Sequence, residues 1–282
     1  MTAIEREELD IREASEGDLP ALREISSQTW DGEDYLAQVA AGWMNDGGLY
    51  VGLLNEAVVG AVKVSLLPCG VVWLEGLRVH PRYRGRGFGK ILAEYSMHRA
   101  LELMRNGEAE LVEFVTYVKN DISIGISRKL GFRLQERFFV LSRPTLASGR
   151  ECRAIDELRK EDLACFPGHI PAGWVMVLKC PESLAWLRSR MTVHGFGEAR
   201  FMFTRGDSYF VPLGSSLDDP GDFLRGCNAC AAAADMDRHD VVLHESMRPL
   251  LAEARRAGFG MWEEVDGPNM LLFRFSQEFL RG

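Results

Sequence analysis

Apolar and polar positions recur along the first part of the chain in blocks that predict a strand, a helix and then several strands. "LDIREASEGDLPALREISSQ" begins as an apolar strand and continues through an acidic turn into a helix, which Ser15 or Asp18 can cap. "LYVGLLN", "VVGAVKVSLL" and "VVWLEGLRV" are short β-rich runs separated by turn residues. Three such runs in succession predict an antiparallel meander.

Helical and strand-like patterns then alternate. Phe88, Ile91, Leu92 and Tyr95 have the i, i+3, i+4, i+7 spacing of a helix with one buried face. "AELVEFVTYV" predicts a strand, "DISIGISRKLG" a helix ending at Gly131, and "FRLQERFFVLSRP" a further strand. The fold class that follows is α/β or α+β, with a mixed, mostly antiparallel sheet flanked by helices.

The stretch "HPRYRGRGFGKIL" concentrates cations and glycine between the strand that ends near Val79 and the next helix. Its cations are Arg82, Arg84, Arg86 and Lys90, and its alternating glycines are Gly85, Gly87 and Gly89. Amide groups at a helix start lack intrahelical partners, and glycine lets the backbone approach a ligand closely. With the helix dipole and the flanking cations, these features predict a site for a diphosphate.

Two well-known phosphate motifs do not fit this stretch. A Walker loop requires glycine five residues before the Gly-Lys pair and Ser or Thr after it, whereas the chain has Arg84 and Ile91 at these positions. The dinucleotide fingerprint requires Gly-x-Gly-x-x-Gly after a parallel strand, whereas these glycines alternate after antiparallel runs.

The remaining pattern is R-x-x-G-x-G at residues 84–89, after a strand with an acid nine residues before the arginine. It resembles the acetyl-CoA motif of the GNAT superfamily of N-acetyltransferases. "NDISIGISRKLGF" is similar to the late helix of that superfamily, and the resemblance covers about residues 10–145. It implies a GNAT fold, acetyl-CoA as cofactor, and direct acetyl transfer from the thioester to an amine.

The resemblance also implies which residues bind the cofactor. The strand is expected to splay near residues 77–79, eased by Gly76, so that backbone groups bind the pantetheine arm and one amide polarises the thioester carbonyl. The cofactor residues implied are Leu77, Arg78, Val79, Arg84, Gly85, Arg86, Gly87, Phe88, Gly89, Lys90, Asn120, Ser123 and Ser127.

Glu75 matches the acid that many superfamily members use as a base, often through a water. Strand alternation predicts that Trp73, Glu75, Leu77 and Val79 share one face, where loss of water would make the carboxylate more basic. The alternative is that Glu75 pairs with Arg78 or anchors a substrate ammonium.

The proton donor to the leaving thiolate is not evident. Many relatives carry a tyrosine eight residues into the late helix, a position that corresponds to Ser127. Tyr95 and Tyr117 are alternatives, although a buried tyrosine is more often part of the core. A thiol with a pKa of about 8.5 is a tolerable leaving group without an acid, so no acid is assigned.

The early segment "TWDGEDYLAQVAAGWM" predicts the acceptor site, with Trp30, Asp34 and Tyr35 binding a cationic or zwitterionic amine. The alternative is an amphipathic helix with a solvated acidic end. This segment, the glycine-rich stretch and the long C-terminal extension are also similar to the histidine N-acetyltransferase and N-acetyltransferase 16-like group. That likeness implies a small amine or amino acid as acceptor.

The second half predicts a separate domain. We place the boundary between a catalytic domain, residues 1–147, and an α+β domain, residues 148–282. "GWVMVLKC", "ARFMFTRG", "SYFVPLG", "DVVLHES" and "NMLLFRF" read as strands, and "MRPLLAEARRAGFG" as a helix. Gly258 and Phe259 follow that helix as Gly131 and Phe132 follow the earlier one, which suggests a degenerate GNAT-like copy without the cofactor motif. An unrelated α+β cap is the alternative.

Composition restricts the partners. The 282 residues carry a net charge of −8, which argues against an extended nucleic-acid or anionic-membrane surface. The N-terminus lacks the pattern of a signal peptide, so a cytoplasmic location is expected. Cys227 and Cys230 form a C-x-x-C that reads as half a zinc site or as a small-residue helix face; no metal is predicted.

These features favour an acetyl-CoA-dependent N-acetyltransferase that acts on a small-molecule amine, most simply an amino acid. One alternative is a catalytically silent CoA-binding sensor or interaction module. This alternative would account for Ser127 at the position where an acid is expected. Another is an acetyltransferase that acts on a protein or peptide amine. The sequence does not predict the oligomeric state.

Overall fold

The computed structural model describes residues 9–32, 34–155, 157–204 and 208–276. The elements are β1 (Asp10–Glu13), α1 (Leu19–Ser27), α2 (Leu36–Asn45), β2 (Leu49–Leu54), β3 (Ala57–Leu67), β4 (Val71–Val79), α3 (Phe88–Arg105), β5 (Leu111–Tyr117), α4 (Asp121–Lys129), β6 (Phe132–Pro144), β7 (Arg153–Ile155), β8 (His169–Ala172), β9 (Val175–Leu178), α5 (Pro181–Arg190), β10 (Met191–Phe196), β11 (Ala199–Thr204), β12 (Tyr209–Pro212), α6 (Pro220–Ala233), β13 (Arg238–His244), α7 (Arg248–Arg256) and β14 (Met270–Phe275). The order predicted for the first half is confirmed. Within the described ranges, no helix has the length and apolar character needed to span a bilayer.

The chain forms two compact units that are not simply its two halves. The first contains the described residues of 9–113, 122–132 and 275–276, and the second contains 114–121 and 133–274. The predicted cut after residue 147 stays a prediction, because these units interleave along the chain.

The first unit contains a sheet in the order β1, β2, β3, β4, β5. The first four strands pair antiparallel, as the meander predicts, and β5 is parallel to β4. Leu22 and Ile25 of α1 pack with Ala61 of β3 on one face. Gly60 faces the opposite side, where an added Cβ would come within 2.7 Å of Leu92 of α3. Helices therefore cover both faces of this sheet.

The second unit repeats the order of elements of the first. Strands β10, β11 and β12 form an antiparallel meander, α6 follows, and β13 is parallel to β12. Then come α7 and β14, just as β4 is followed by α3, β5, α4 and β6. Gly131 and Gly258, which follow α4 and α7, both have positive φ, 92° and 85°. This succession favours the degenerate GNAT-like copy over an unrelated cap.

The last strand of each half does not pair as its sequence position suggests. The strands of the second unit lie in the order β14, β6, β13, β12, β11, β10, β7, with the β8–β9 hairpin separate. β6 thus pairs antiparallel with β13, and β14 lies between β6 and the end of β5. Phe114 and Phe273 stack there at 5.3 Å between ring centroids.

The C-x-x-C segment belongs to α6, which confirms its interpretation as a helix face. Cys227 and Cys230 are both buried. Gly226 beside them allows the helix to approach the sheet, because an added Cβ would lie 2.6 Å from Phe201 and 2.7 Å from Phe196.

Candidate active site

The glycine-rich stretch forms a turn that links β4 to α3. His80 begins it, and its Nδ1 accepts the N–H of Arg82 at 3.2 Å. Its Nε2 lies 3.3 Å from Oε1 of Glu24 on α1, so the nearly buried ring is held from both sides. The Nε of Arg84 donates to the carbonyl of Val79 at 3.1 Å. The turn is thus fixed at its entry.

Beyond Arg84 the backbone is open. Gly85 and Gly87 have φ of 79° and 86°, a region that strongly favours glycine, and an added Cβ at either would meet no atom within 4 Å. The amides of Gly85, Gly87, Phe88 and Gly89 have no hydrogen-bond partner within the described structure, and α3 begins at Phe88. These unpaired donors at a helix N-terminus fit the diphosphate of coenzyme A.

Cationic side chains surround these amides. Arg84 and Arg86 are exposed, and the guanidinium of Arg86 lies over the rings of Tyr83 and Phe88 at 5.4 and 5.0 Å. Lys90 forms an exposed pair with Glu94 at 3.4 Å. The turn therefore joins positive charge to open amides, as the sequence predicts.

Glu75 lies on β4, directly opposite Lys63 of β3. Its Oε1 accepts a hydrogen bond from Oγ of Ser65 at 3.2 Å. Burial raises the pKa of Glu75 to about 7, and the charge of Lys63 and the Ser65 hydrogen bond only partly oppose this. The carboxyl group can therefore gain and lose a proton near neutral pH.

Lys63 and Ser65 were not identified from the sequence. Burial lowers the pKa of Lys63, whose Nζ donates to the carbonyls of Trp43, at 3.2 Å, and Gly47. Lys63 and Ser65 lie two residues apart on β3, the strand that pairs with β4, so they share one face of it. This alternation is the one sequence signal that could have indicated the two residues.

A bulge in β4 overturns the predicted alternation. Glu75 pairs with Lys63 and Arg78 pairs with Ala61, so three steps along β4 match two along β3. Gly76, at φ 65°, absorbs the extra residue, and an added Cβ there would lie 2.5 Å from Trp43. Because Lys63 and Ala61 share a face of β3, Glu75 shares its face with Arg78 rather than with Leu77 and Val79. The expected shared face was wrong beyond Gly76.

The predicted acceptor residues gather around Arg78. Asp34, fully buried, accepts from Nε of Arg78 at 3.0 Å and from Nη2 at 2.8 Å. The guanidinium lies 4.3 Å from the Trp30 ring centroid and 5.3 Å from that of Tyr35. Burial raises the pKa of Tyr35 to about 12. Arg78 thus forms an ion pair with Asp34, and the alternative in which Arg78 binds Glu75 is not what the structure shows.

Backbone carbonyls at the end of β4 have arginine partners. Leu77 accepts from Nη1 of Arg78 at 3.1 Å, and Val79 accepts from Arg84. The predicted contacts of residues 77–79 with the pantetheine arm stay predictions.

The late helix, α4, follows Asn120, whose N–H donates to the carbonyl of Tyr117 at 3.0 Å. Ser123 is half-buried, and Ser127 is 9% exposed. A buried serine is a poor proton donor for a thiolate because its hydroxyl is far less acidic than a phenol. Tyr95 packs edge-on against Tyr50 at 5.0 Å, which favours a core role for it.

The second unit closes the corresponding helix start. Asp219 caps α6, and its carboxylate accepts from the N–H of Asp222 at 2.9 Å. A carboxylate therefore occupies the place where an anionic ligand would bind. This favours one diphosphate site, in the first unit.

Comparison with known families agrees with this geometry. Residues 19–132 match the model of the acetyltransferase (GNAT) family. This range contains Glu75, the glycine-rich turn and α4. Among curated proteins, no sequence matches the chain.

Solved structures share the fold over both units. A candidate acetyltransferase from Thermoplasma acidophilum is 19% identical, with a TM-score of 0.65 over 94% of this chain and 99% of that chain. A GCN5-related N-acetyltransferase from Sphaerobacter thermophilus is 14% identical, with a TM-score of 0.64 over 97% and 96%. A candidate acetyltransferase from Pyrococcus horikoshii is also 14% identical, with a TM-score of 0.64 over 95% and 89%.

The solved structures establish the fold over both units, and the family match identifies the part of the chain that carries the acetyltransferase pattern. More particularly, residues 19–132 match the acetyltransferase (GNAT) family, and acetyl-CoA is the acetyl donor of that family. The superfamily resemblance is confirmed. The finer resemblance to the histidine N-acetyltransferase group is not confirmed and stays a prediction.

Proposed function

We propose that the protein acetylates the amine of a small molecule, most simply an amino acid, and that Glu75 receives the proton of the attacking amine. The observation that carries this proposal is the position of Glu75, with a pKa of about 7, on the strand that leads into the diphosphate turn. An α-ammonium group has a pKa of about 8, so a base of this strength can accept its proton at neutral pH.

The proton and bond changes balance without another reactant. The ammonium group gives one proton to Glu75, directly or through a water. The free amine attacks the thioester carbonyl, a C–N bond forms, and the C–S bond breaks. The nitrogen loses its second proton and the thiolate takes one up, so the net products are an amide, coenzyme A and one proton.

The turn positions the acetyl donor in this proposal. The amides of Gly85, Gly87, Phe88 and Gly89 bind the diphosphate, and the Arg84 and Arg86 charges add to the helix dipole. The remaining proposed cofactor contacts are those of Leu77, Arg78, Val79, Lys90, Asn120, Ser123 and Ser127.

We assign acceptor recognition to the aromatic groups around Arg78. Trp30 is 57% exposed, an unusual position for an indole, and Tyr35 packs edge-on against Trp43 at 6.0 Å. The ion pair with Asp34 holds Arg78 in place. Because Arg78 shares a face of β4 with Glu75, the rings around Arg78 lie on that face. Asp34 therefore contributes mainly through Arg78.

A thiol-release assay with acetyl-CoA and a panel of amino acids, other amines and peptides tests the proposal. Turnover with a small amine supports it, and turnover with peptides alone would favour a protein or peptide acceptor. Tight CoA binding without any acceptor turnover would favour the silent sensor. The cytoplasmic location also remains a prediction.

A further inference from the structure

Three cysteines of the second unit lie around one turn of α6, outside the groups described above. Cys227 and Cys230 belong to the helix and are buried. Cys152 directly precedes β7 and is half-buried. All three are free thiols. The C-x-x-C of the sequence therefore has a third cysteine beside it, which comes from a distant part of the chain.

The geometry of the helix places Cys152 next to Cys230. Sγ of Cys152 donates to the carbonyl of Gly226 at 3.1 Å. In an α-helix that carbonyl also accepts the N–H of the residue four positions later, which is Cys230. Helical side chains tilt toward the helix N-terminus, so the Cys230 side chain points back toward the turn where Cys152 lies. The two thiols share a side-chain hydrogen bond. We call Cys152 and Cys230 the thiol pair.

The members of the thiol pair differ in charge and in access to solvent. As a thiolate, Cys152 accepts hydrogen bonds from the side chain and the backbone of Cys230, which lowers the pKa of Cys152, and burial opposes this only in part. The same side-chain contact, together with burial, raises the pKa of Cys230. Cys152 is also the more exposed of the two. A dissolved oxidant therefore reaches Cys152 as the thiolate, with a protonated thiol beside it.

We propose that the thiol pair is a site of reversible oxidation, at which a hydroperoxide converts Cys152 and Cys230 to a disulfide. With hydrogen peroxide, the Cys152 thiolate attacks one oxygen, the O–O bond breaks, and a sulfenic acid and hydroxide form. The sulfur of Cys230 then attacks the sulfenic sulfur, so that an S–S bond forms and the S–O bond breaks. The protons of the two thiols leave with the oxygens, and one peroxide is reduced to two waters. A dithiol reductant reverses the reaction by thiol–disulfide exchange.

The disulfide would fix the start of β7, which lies at the edge of its sheet. This strand pairs only with β10, over residues 153–155. A short edge strand has few hydrogen bonds and opens more often than a central one. Because Cys152 directly precedes β7, a bond from Cys152 to α6 should make this opening rarer.

Peptide mapping of the full chain after treatment with hydrogen peroxide tests the proposal, with the remaining thiols blocked by alkylation. We expect a Cys152–Cys230 cross-linked peptide that disappears on reduction. Cys165 is the control thiol, because it is also half-buried and burial raises its pKa to about 11. Its smaller thiolate fraction should make oxidation of Cys165 at least about tenfold slower than that of Cys152. Equal rates would overturn the assignment of Cys152 as the reactive thiol.

Variants of α6 identify the second thiol. Cys230→Ala leaves the sulfenic acid without a partner, so the adduct of Cys152 with dimedone should increase about tenfold over the wild type. Cys227→Ala is the matched control, since it removes another buried thiol of the same helix and should keep the cross-link. Both changes suit the alanine-rich segment "CNACAAAA". A cross-link from Cys152 to Cys227, or no dimedone adduct at Cys152 in Cys230→Ala, would refute the proposal.

Hydrogen exchange measures the effect on β7. After oxidation, the amides of residues 153–155 should exchange at least about threefold more slowly in the wild type and in Cys227→Ala. Their exchange should not change in Cys230→Ala, which cannot form the cross-link. Unchanged exchange in the cross-linked wild type would overturn the effect on β7.

Discussion

Glu75→Gln should separate proton transfer from binding, because glutamine has the shape of glutamate but cannot accept the proton. We expect kcat to fall by about 10²-fold or more, the usual contribution of a general base. The affinity for CoA should change less than about twofold, since the open amides of the turn bind the diphosphate without Glu75.

The same substitution should stabilise the fold at alkaline pH. The pKa of Glu75 rises from 4.5 to about 7 on folding. Between these values the unfolded chain loses the proton first, so the free energy of unfolding falls as pH rises through this window and is level above it. A difference of 2.5 units corresponds to about 3 kcal/mol at most. This net shift already includes the attraction to Lys63, and glutamine must still be buried as a polar amide, so we expect about 1 to 3 kcal/mol of gain for the variant at pH 8.

Two measurements check these expectations. Thiol release from pH 5.5 to 9 should give wild-type kcat an ascending limb with a midpoint near pH 7, and the variant should lack it. Denaturant unfolding at pH 5 and pH 8 should show the variant's advantage at pH 8. Glu16→Gln, which alters an exposed carboxyl group of the same unit, is the control and should change neither.

Two outcomes would refute this account of Glu75. If Glu75→Gln keeps the wild-type kcat, the residue is not the base. If wild-type kcat is flat between pH 6 and 8, the pKa of the Glu75 carboxyl group is not raised by burial to about 7.

Three further predictions concern the neighbours of Glu75 and the turn. Arg84→Ala should weaken CoA binding by about 1 to 3 kcal/mol in calorimetry, whereas exposed Arg82→Ala, in the same turn, should have little effect; equal losses would show that only net charge matters. Gly89→Ala should stabilise the free protein by about 0.5 to 1 kcal/mol, because the added Cβ meets only Val79 at 3.6 Å, yet should weaken CoA binding. Gly42→Ala in α2 is the control for Gly89→Ala and should stabilise the free protein without changing its affinity for CoA. A loss of CoA affinity in both variants would contradict the role of Gly89. Ser65→Ala removes a hydrogen bond that lowers the pKa of Glu75, so the midpoint of the kcat profile should move to higher pH, and a downward shift would be inconsistent with this contact.

Local spacing was sufficient for the elements of the first half and for the glycine-rich turn that begins α3. Helix and strand periods, turn residues and the run "RYRGRGFGK" all act over fewer than about ten residues, where chain geometry restricts the choices. Glu75 could be selected for the same reason, because its distance from Arg84 is a local spacing along one strand and turn.

Tertiary structure alone decided which groups share a face and which strands pair. The bulge at Gly76 places Arg78 beside Glu75, and Asp34 reaches Arg78 from 44 residues away. The pairing of β6 with β13 likewise joins residues far apart in the chain. Alternation within one strand does not reveal a bulge, and hydrophobicity does not specify which distant strand completes a sheet, since either neighbour would satisfy the backbone hydrogen bonds.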